Sequence, residues 1–184
     1  MGREYDRSWK NAQKTFKKCR TRKRKKEIQE KAKANKGVDS QFLTRILKCH
    51  NSFIGCYAED EIDSLTFGNS PCYLIVNIDS SNMPGSHWIA LGIFSNSIEI
   101  FDPLGFDIFQ WTRVPCDLLE FLHRISITKK IKISRRIQSD SSNMCGFYCL
   151  FYLFMRKHLS MKKLLMYFNS NLTVNDTILN KFFM

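Results

Sequence analysis

The sequence predicts an α+β fold, and three observations carry that expectation. Residues 72–79, 87–94 and 97–102 are closely spaced runs rich in β-branched and aromatic side chains, as strands of one sheet would be. Residues 145–158 are apolar on every side before a basic end, the pattern of a helix buried in the middle of a domain. Further helical patterns lie on either side of the strand-rich block and complete an α+β chain. The 184 residues are 43% hydrophobic and 13% aromatic, enough apolar material for one compact core, which argues against wholesale disorder.

Taken in order, the chain begins with a basic segment. Residues 1–36 hold 15 basic against 4 acidic side chains, a net charge of +11 out of +12 for the whole chain. The high isoelectric point therefore describes this segment, and the rest is close to neutral. Residues 10–36 alternate basic and helix-favouring side chains, which fits a solvated helix or a disordered tail. Like charges repel and few side chains there are apolar, so we expect the segment to fold weakly alone and to be ordered mainly by an anionic partner. Gly37 marks the boundary between this arm, residues 1–36, and a folded domain, residues 37–184. The cluster Arg20, Arg22, Lys23, Arg24, Lys25 and Lys26 has three readings: DNA contact through phosphate neutralisation, a nuclear localisation signal, or a solubilising tail.

After Gly37, Asp39 or Ser40 caps a short helix that carries Phe42, Leu43, Ile46 and Leu47 on one face. Pro71 and Ser80 bound the first strand, and Ser95 and Asn96 join the next two as a tight turn. Residues 118–127 read as a helix, and residues 130–137 alternate charged side chains with isoleucine as a half-exposed strand would. Helical patterns beginning near Ser160 and Val174 close the chain, and no internal repeat is visible.

Seven cysteines form an odd set with no CxxC pair and no spacing suited to zinc, which favours a reducing compartment. Residues 1–36 contain no apolar run of the kind a secretory signal needs. The longest nearly apolar stretch, residues 144–155, falls short of the roughly 20 residues that cross a bilayer. We therefore expect an intracellular protein, nuclear or cytoplasmic, without a membrane partner.

One constellation points to chemistry. A cysteine that attacks a carbonyl does so as its thiolate, and the start of a helix favours negative charge. Cys145 opens the buried helix, and Gly146 after it leaves room for a substrate backbone. Cys149, one turn on, reads as an ordinary buried cysteine. His87 opens a strand beside Trp88 and is a candidate general base for Cys145. Asp102 ends the following strand, where antiparallel pairing brings it to the same edge as His87, and a carboxylate there orients the ring. The competing reading of Asp102 is a turn former before Pro103. Gln138, placed at the end of a strand, offers an amide to a developing oxyanion, with the Cys145 backbone N–H as second donor.

In these residues the sequence resembles the adenovirus-type, adenain-like cysteine proteases, within the larger group that includes the Ulp-type SUMO proteases. The matching stretches are residues 53–57 (Phe-Ile-Gly-Cys-Tyr), 85–88 (Gly-Ser-His-Trp), 101–106 (Phe-Asp-Pro-Leu-Gly-Phe), and Gln138 with residues 143–147 (Asn-Met-Cys-Gly-Phe). The resemblance covers about residues 40–168. It implies a central mixed β-sheet flanked by helices in a papain-like architecture, with the basic arm added to the family core. It implies His87 as base, Asp102 as its carboxylate, Gln138 as oxyanion donor and Cys145 as nucleophile.

The wording of residues 53–57 and 101–106 lies nearer the adenain branch, which implies an endopeptidase that cuts precursor proteins of viruses or virus-like elements in glycine-rich contexts. A SUMO or ubiquitin-like isopeptidase, and a catalytically idle DNA-associated protein of the same fold, are the alternatives. We expect a monomer, acting inside the cell or in a virion, with DNA as a candidate partner of the basic arm; the resemblance implies no obligatory cofactor and DNA as a candidate activator. Residues 126–128 (Ser-Ile-Thr) stand where the adenovirus enzyme has the cysteine that pairs with its activating peptide, so activation through a disulfide-linked peptide is not expected.

Overall fold

Alternating side chains give the sheet two apolar faces, and the rest of the chain is arranged to cover both. The computed structural model describes residues 2–18, 21–68, 71–105 and 116–184. Five strands, β1 (Phe53–Ala58), β2 (Cys72–Asn77), β3 (Trp88–Ile93), β4 (Ser97–Phe101) and β5 (Lys130–Ile133), lie side by side in that order. β1 runs parallel to β2 and β5 parallel to β4, while β2, β3 and β4 are antiparallel neighbours, so the sheet is mixed.

Successive side chains point to opposite faces. On one face Leu74, Val76, Ile89, Leu91, Ile98 and Ile100 cluster with Leu118, Phe121 and Leu122 of the helix Cys116–Ser126. On the other, Tyr73, Ile75, Ala90 and Phe101 pack against the helix Cys145–Arg156, which is buried from Cys145 to Met155. Numbered along the chain, the helices are α1 (Gly2–Lys18), α2 (Arg22–Lys33), α3 (Ser40–Leu47), α4 (Cys116–Ser126), α5 (Cys145–Arg156), α6 (Met161–Leu165) and α7 (Asn175–Phe183). Asp39 caps α3 by accepting the Phe42 N–H at 2.7 Å.

The N-terminal segment differs from the expected weakly folded arm. Its few apolar side chains fall at helical spacing: Trp9, Ala12 and Phe16 on α1, and Ile28 and Ala32 on α2. All but the partly buried Trp9 are at most 2% exposed, and they belong to the cluster built around α5 and α7. Trp9 meets Phe151 and Phe182, and Phe16 meets Phe154 and Phe183, in tilted or edge-on contacts. Each fully buried aromatic contributes roughly 2 kcal/mol through area removed from water, which outweighs weak repulsion among solvated lysines. An ion pair between Arg45 and Glu27 and the Lys31 ammonium over the Phe42 ring tie α2 to α3.

Two strands also depart from expectation. β1 was visible in the sequence only as a motif, because its register slips between Phe53 and Gly55 and it lacks clean alternation. β5 ends at Ile133 rather than at residue 137. There the Ser134 hydroxyl accepts the Asp102 N–H and donates to the Asp102 carbonyl, replacing the ladder and releasing the chain into a loop. Cys49 is disulfide-bonded, a link that cysteine spacing did not announce, while Cys56, Cys72, Cys116, Cys145 and Cys149 are free. Among the described residues no helix is long and apolar enough to cross a membrane.

Candidate active site

Three elements converge at one edge of the sheet. His87 immediately precedes β3 and Asp102 immediately follows β4. Antiparallel pairing of Ala90 with Phe101 makes both leave the sheet at the same end. Asp102 is fully buried, and its Oδ1 lies 2.8 Å from His87 Nε2 and accepts the Leu104 N–H at 2.9 Å. The two readings of Asp102 therefore coexist, since one oxygen both shapes the Asp-Pro turn and orients the imidazole. Gly105, at φ 66°, lets that turn lie against the 136–138 loop, where a Cβ would stand 2.2 Å from the Arg136 nitrogen.

Cys145 is the first residue of α5, where backbone N–H groups have no partner within the helix and the dipole favours negative charge. Its side chain is close enough to the His87 ring to help raise the ring's pKa. With Nε2 committed to Asp102, Nδ1 is the ring nitrogen left to exchange a proton with the sulfur. Burial of His87 works against its positive charge, but the bonds and charges of Asp102 and Cys145 together outweigh it and lift the ring to about 9. A cation thus faces the sulfur at neutral pH. Cys149, one turn further on, is wholly enclosed: its thiol donates to the Trp88 carbonyl at 3.4 Å, and burial pushes it well above the usual thiol range.

Gln138 lies in the loop after β5, not at a strand end, because the chain turns there to wrap Pro103. The Ile137 and Gln138 N–H groups both donate to the Pro103 carbonyl. The Gln138 side chain is buried, and its Nε2 donates to the Ser142 carbonyl at 2.6 Å, leaving a second amide hydrogen available. Gln138, His87, Trp88 and Cys145 share one cleft of about 940 Å³. The expected space beside Gly146 is taken by the protein itself, since a Cβ there would stand 2.4 Å from Val38 Cγ2. Trp88 secures that segment by donating its indole N–H to the Val38 carbonyl at 2.8 Å.

Sequence reasoning missed the groups that hold the loop before Cys145. Asp176 of α7 accepts from the Ser142 and Tyr148 hydroxyls at 3.0 and 2.9 Å. Asn35, just after α2, accepts the Asn143 N–H at 2.9 Å. Neither carries a local sequence signal, because each reaches the loop across a long sequence separation. The basic cluster is elsewhere: Lys23, Lys25 and Lys26 are exposed on α2, Arg24 is half-buried, and none of them lines the cleft. Arg20 and the side chain of Arg22 lie outside the described residues. Among the described residues no group of three or more His, Cys, Asp or Glu side chains is placed to hold a metal.

Comparison with known proteins follows the same lines. The model of the adenovirus endoprotease family matches residues 53–180. A direct sequence search against curated proteins finds no match. Among solved structures, the chain is similar to the ASFV pS273R protease, with 17% identity and a TM-score of 0.49, covering 80% of this chain and 68% of that one. It is also similar to HopZ1a, solved in complex with IP6, with 13% identity and a TM-score of 0.41, covering 96% of this chain and 63% of that one.

Proposed function

The chain belongs to the adenovirus endoprotease family and is a cysteine peptidase, and from that premise we propose that it is an endopeptidase processing precursor polypeptides of a virus or virus-like element. Cys145 is its nucleophile. The sulfur attacks the scissile carbonyl from the ion pair with His87, and the imidazolium Nδ1 proton passes to the departing amine, leaving an acyl-enzyme. Water enters, His87 takes its proton, and the thioester is hydrolysed. The Cys145 N–H and the second amide hydrogen of Gln138 face the developing oxyanion. Asp102 keeps the ring oriented and supports its charge throughout.

The single observation that carries this reading is one imidazole held between a fully buried carboxylate and a cysteine at a helix start, at the wall of a cleft. The charge of the cleft bears on the substrate. Apart from His87, the charged side chains lining it are Asp39, Glu61, Asp79 and Asp140, in a chain of net charge +12. Asp39 caps α3 and Asp140 pairs with Arg136, while Glu61 and Asp79 form no ion pair among the described residues. Such walls favour a polypeptide with basic rather than acidic side chains near the cut.

Replacing Cys145 by Ala tests the assignment. Cleavage of Gly-Gly and Gly-x fluorogenic peptides is expected to fall at least about 1,000-fold, with an unchanged far-ultraviolet spectrum and melting within a few degrees of the parent. Peptidase activity retained by the pure variant would overturn it.

A further inference from the structure

We infer that Asn35 is a positioning residue for the peptidase reaction, acting from the N-terminal helical pair on the loop that carries the nucleophile. This rests on the peptidase reading above and names a part of its machinery. The family match begins only at residue 53, so nothing in it assigns a role to Asn35.

The geometry is specific. Asn35 follows α2 with φ 47°, and among the described residues it is the one non-glycine position with positive φ. Asn tolerates that conformation better than other side-chain-bearing residues, and here it turns the amide toward the 141–143 loop. Its Oδ1 accepts the Asn143 N–H at 2.9 Å, and its Nδ2 reaches the Ser141 carbonyl at 3.5 Å. One side chain thus spans two peptide groups of the loop. The intervening residue, Ser142, presents its carbonyl to the Gln138 amide at 2.6 Å, and Cys145 follows after Met144. The carbonyl that aims the Gln138 amide therefore sits between the two groups held by Asn35.

The anchor behind Asn35 is firm. Ile28 and Ala32 bury α2 in the main core, and the Asn35 N–H donates to the Ala32 carbonyl at 3.2 Å. Asp176 also holds the same loop, through the Ser142 hydroxyl. Removing Asn35 leaves that second tether in place, so the loop is expected to remain folded but to lose its register relative to Gln138. The oxyanion contact is then affected more than the His87–Cys145 pair, which hangs from the sheet and the start of α5.

Two variants and two readouts test this. Asn35→Gly suits a positive φ and removes both side-chain bonds. Asn35→Asp keeps an acceptor for the Asn143 N–H. Parent, Asn35→Gly, Asn35→Asp and Cys145→Ala are assayed with Gly-Gly and Gly-x peptides, and separately for alkylation of Cys145 by iodoacetamide, a displacement that forms no oxyanion. For Asn35→Gly the expected result is a fall in kcat of about tenfold or more, with KM and the alkylation rate within about twofold of the parent. Asn35→Asp is expected to recover most of kcat. A kcat for Asn35→Gly within twofold of the parent overturns the inference. So does a loss matched by equal slowing of alkylation, which would mark general loosening. A parent as inactive as Cys145→Ala overturns the peptidase reading and this inference with it, whereas an active parent with an indifferent Asn35→Gly sinks this inference alone.

Discussion

A buried carboxylate lies near each end of α5, Glu99 on β4 and Asp102 just after it, and the two differ in what faces them. At the C-terminal end Glu99 accepts the Tyr152 hydroxyl at 2.9 Å and Arg156 Nε and Nη2 at 2.7 and 3.1 Å. Arg156 also lies over the Phe94 ring, and its guanidinium keeps its charge at any pH the fold survives. That guanidinium exchanges no proton, and the pair has no place on the cleft wall. At the N-terminal end Asp102 faces an imidazole, and beyond the imidazole lie a sulfur and the cleft. A buried carboxylate becomes part of a reaction when its partner exchanges a proton and the next group in line meets a ligand. Without those two conditions it is a strut.

Neutralising each carboxylate in turn breaks or sharpens that contrast. Asp102→Asn is expected to lower kcat/KM by about 100-fold or more, because the ring loses both its orientation and the charge that sustains it. It also moves a titration. The His87 ring stays protonated to about 9 in the folded protein, against 6.5 for an unperturbed imidazole. Activity that depends on the protonated His87 ring is therefore expected to hold at neutral pH and to decline as pH rises through about 9. Stability has the same sign: a raised folded-state pKa contributes fully below 6.5 and is lost as pH climbs toward 9. In Asp102→Asn both declines should shift to lower pH, as pH–rate profiles and denaturant titrations at several pH values would show. An alkaline limb left in place would remove Asp102 from the machinery.

Glu99→Gln makes the opposite prediction. It leaves Arg156 charged and only partly paired, which is expected to cost about 3 kcal/mol of stability and to lower the denaturant midpoint, while kcat per folded molecule stays within about twofold of the parent. Loss of kcat comparable to that of Asp102→Asn would show that the two ends of the helix are not functionally distinct.

The same contrast explains what the sequence made legible. β2, β3 and β4 lie in short apolar runs rich in β-branched and aromatic side chains, and α5 is a longer stretch apolar all round, so their types follow from composition and length. His87, Asp102 and Cys145 sit at the ends of those legible elements, and register alone brings the first two together. Gln138 was recognisable as a residue but not as a place, since the short β5 and the Ser134 swap that ends it are tertiary effects. The helices before Gly37 were obscured by charge: a stripe of Trp9, Ala12, Phe16, Ile28 and Ala32 is easily lost among lysines, yet it docks the segment on the core. Asn35 and Asp176 were invisible for a related reason. Both work through side-chain hydrogen bonds to a loop distant in sequence, and no local pattern announces such bonds.

The smallest expected effect concerns the acidic side chains of the cleft wall. Asp79 follows β2 at the cleft and is half-buried, and with Glu61 it gives that wall a negative sign in an otherwise basic protein. A partly solvated carboxylate interacts with a passing charge by only about 0.5 to 1 kcal/mol, so Asp79→Asn should leave kcat on neutral peptides unchanged. Its effect appears as a difference. Between paired peptides carrying Lys or Glu beside the cut, the preference for Lys in kcat/KM should shrink by a few-fold, and its dependence on added salt should weaken because one screened attraction is gone. Equal kcat/KM for the paired peptides in the parent protein would mean that the carboxylates of this wall are solvated too well to select, and that the cleft reads backbone and shape instead.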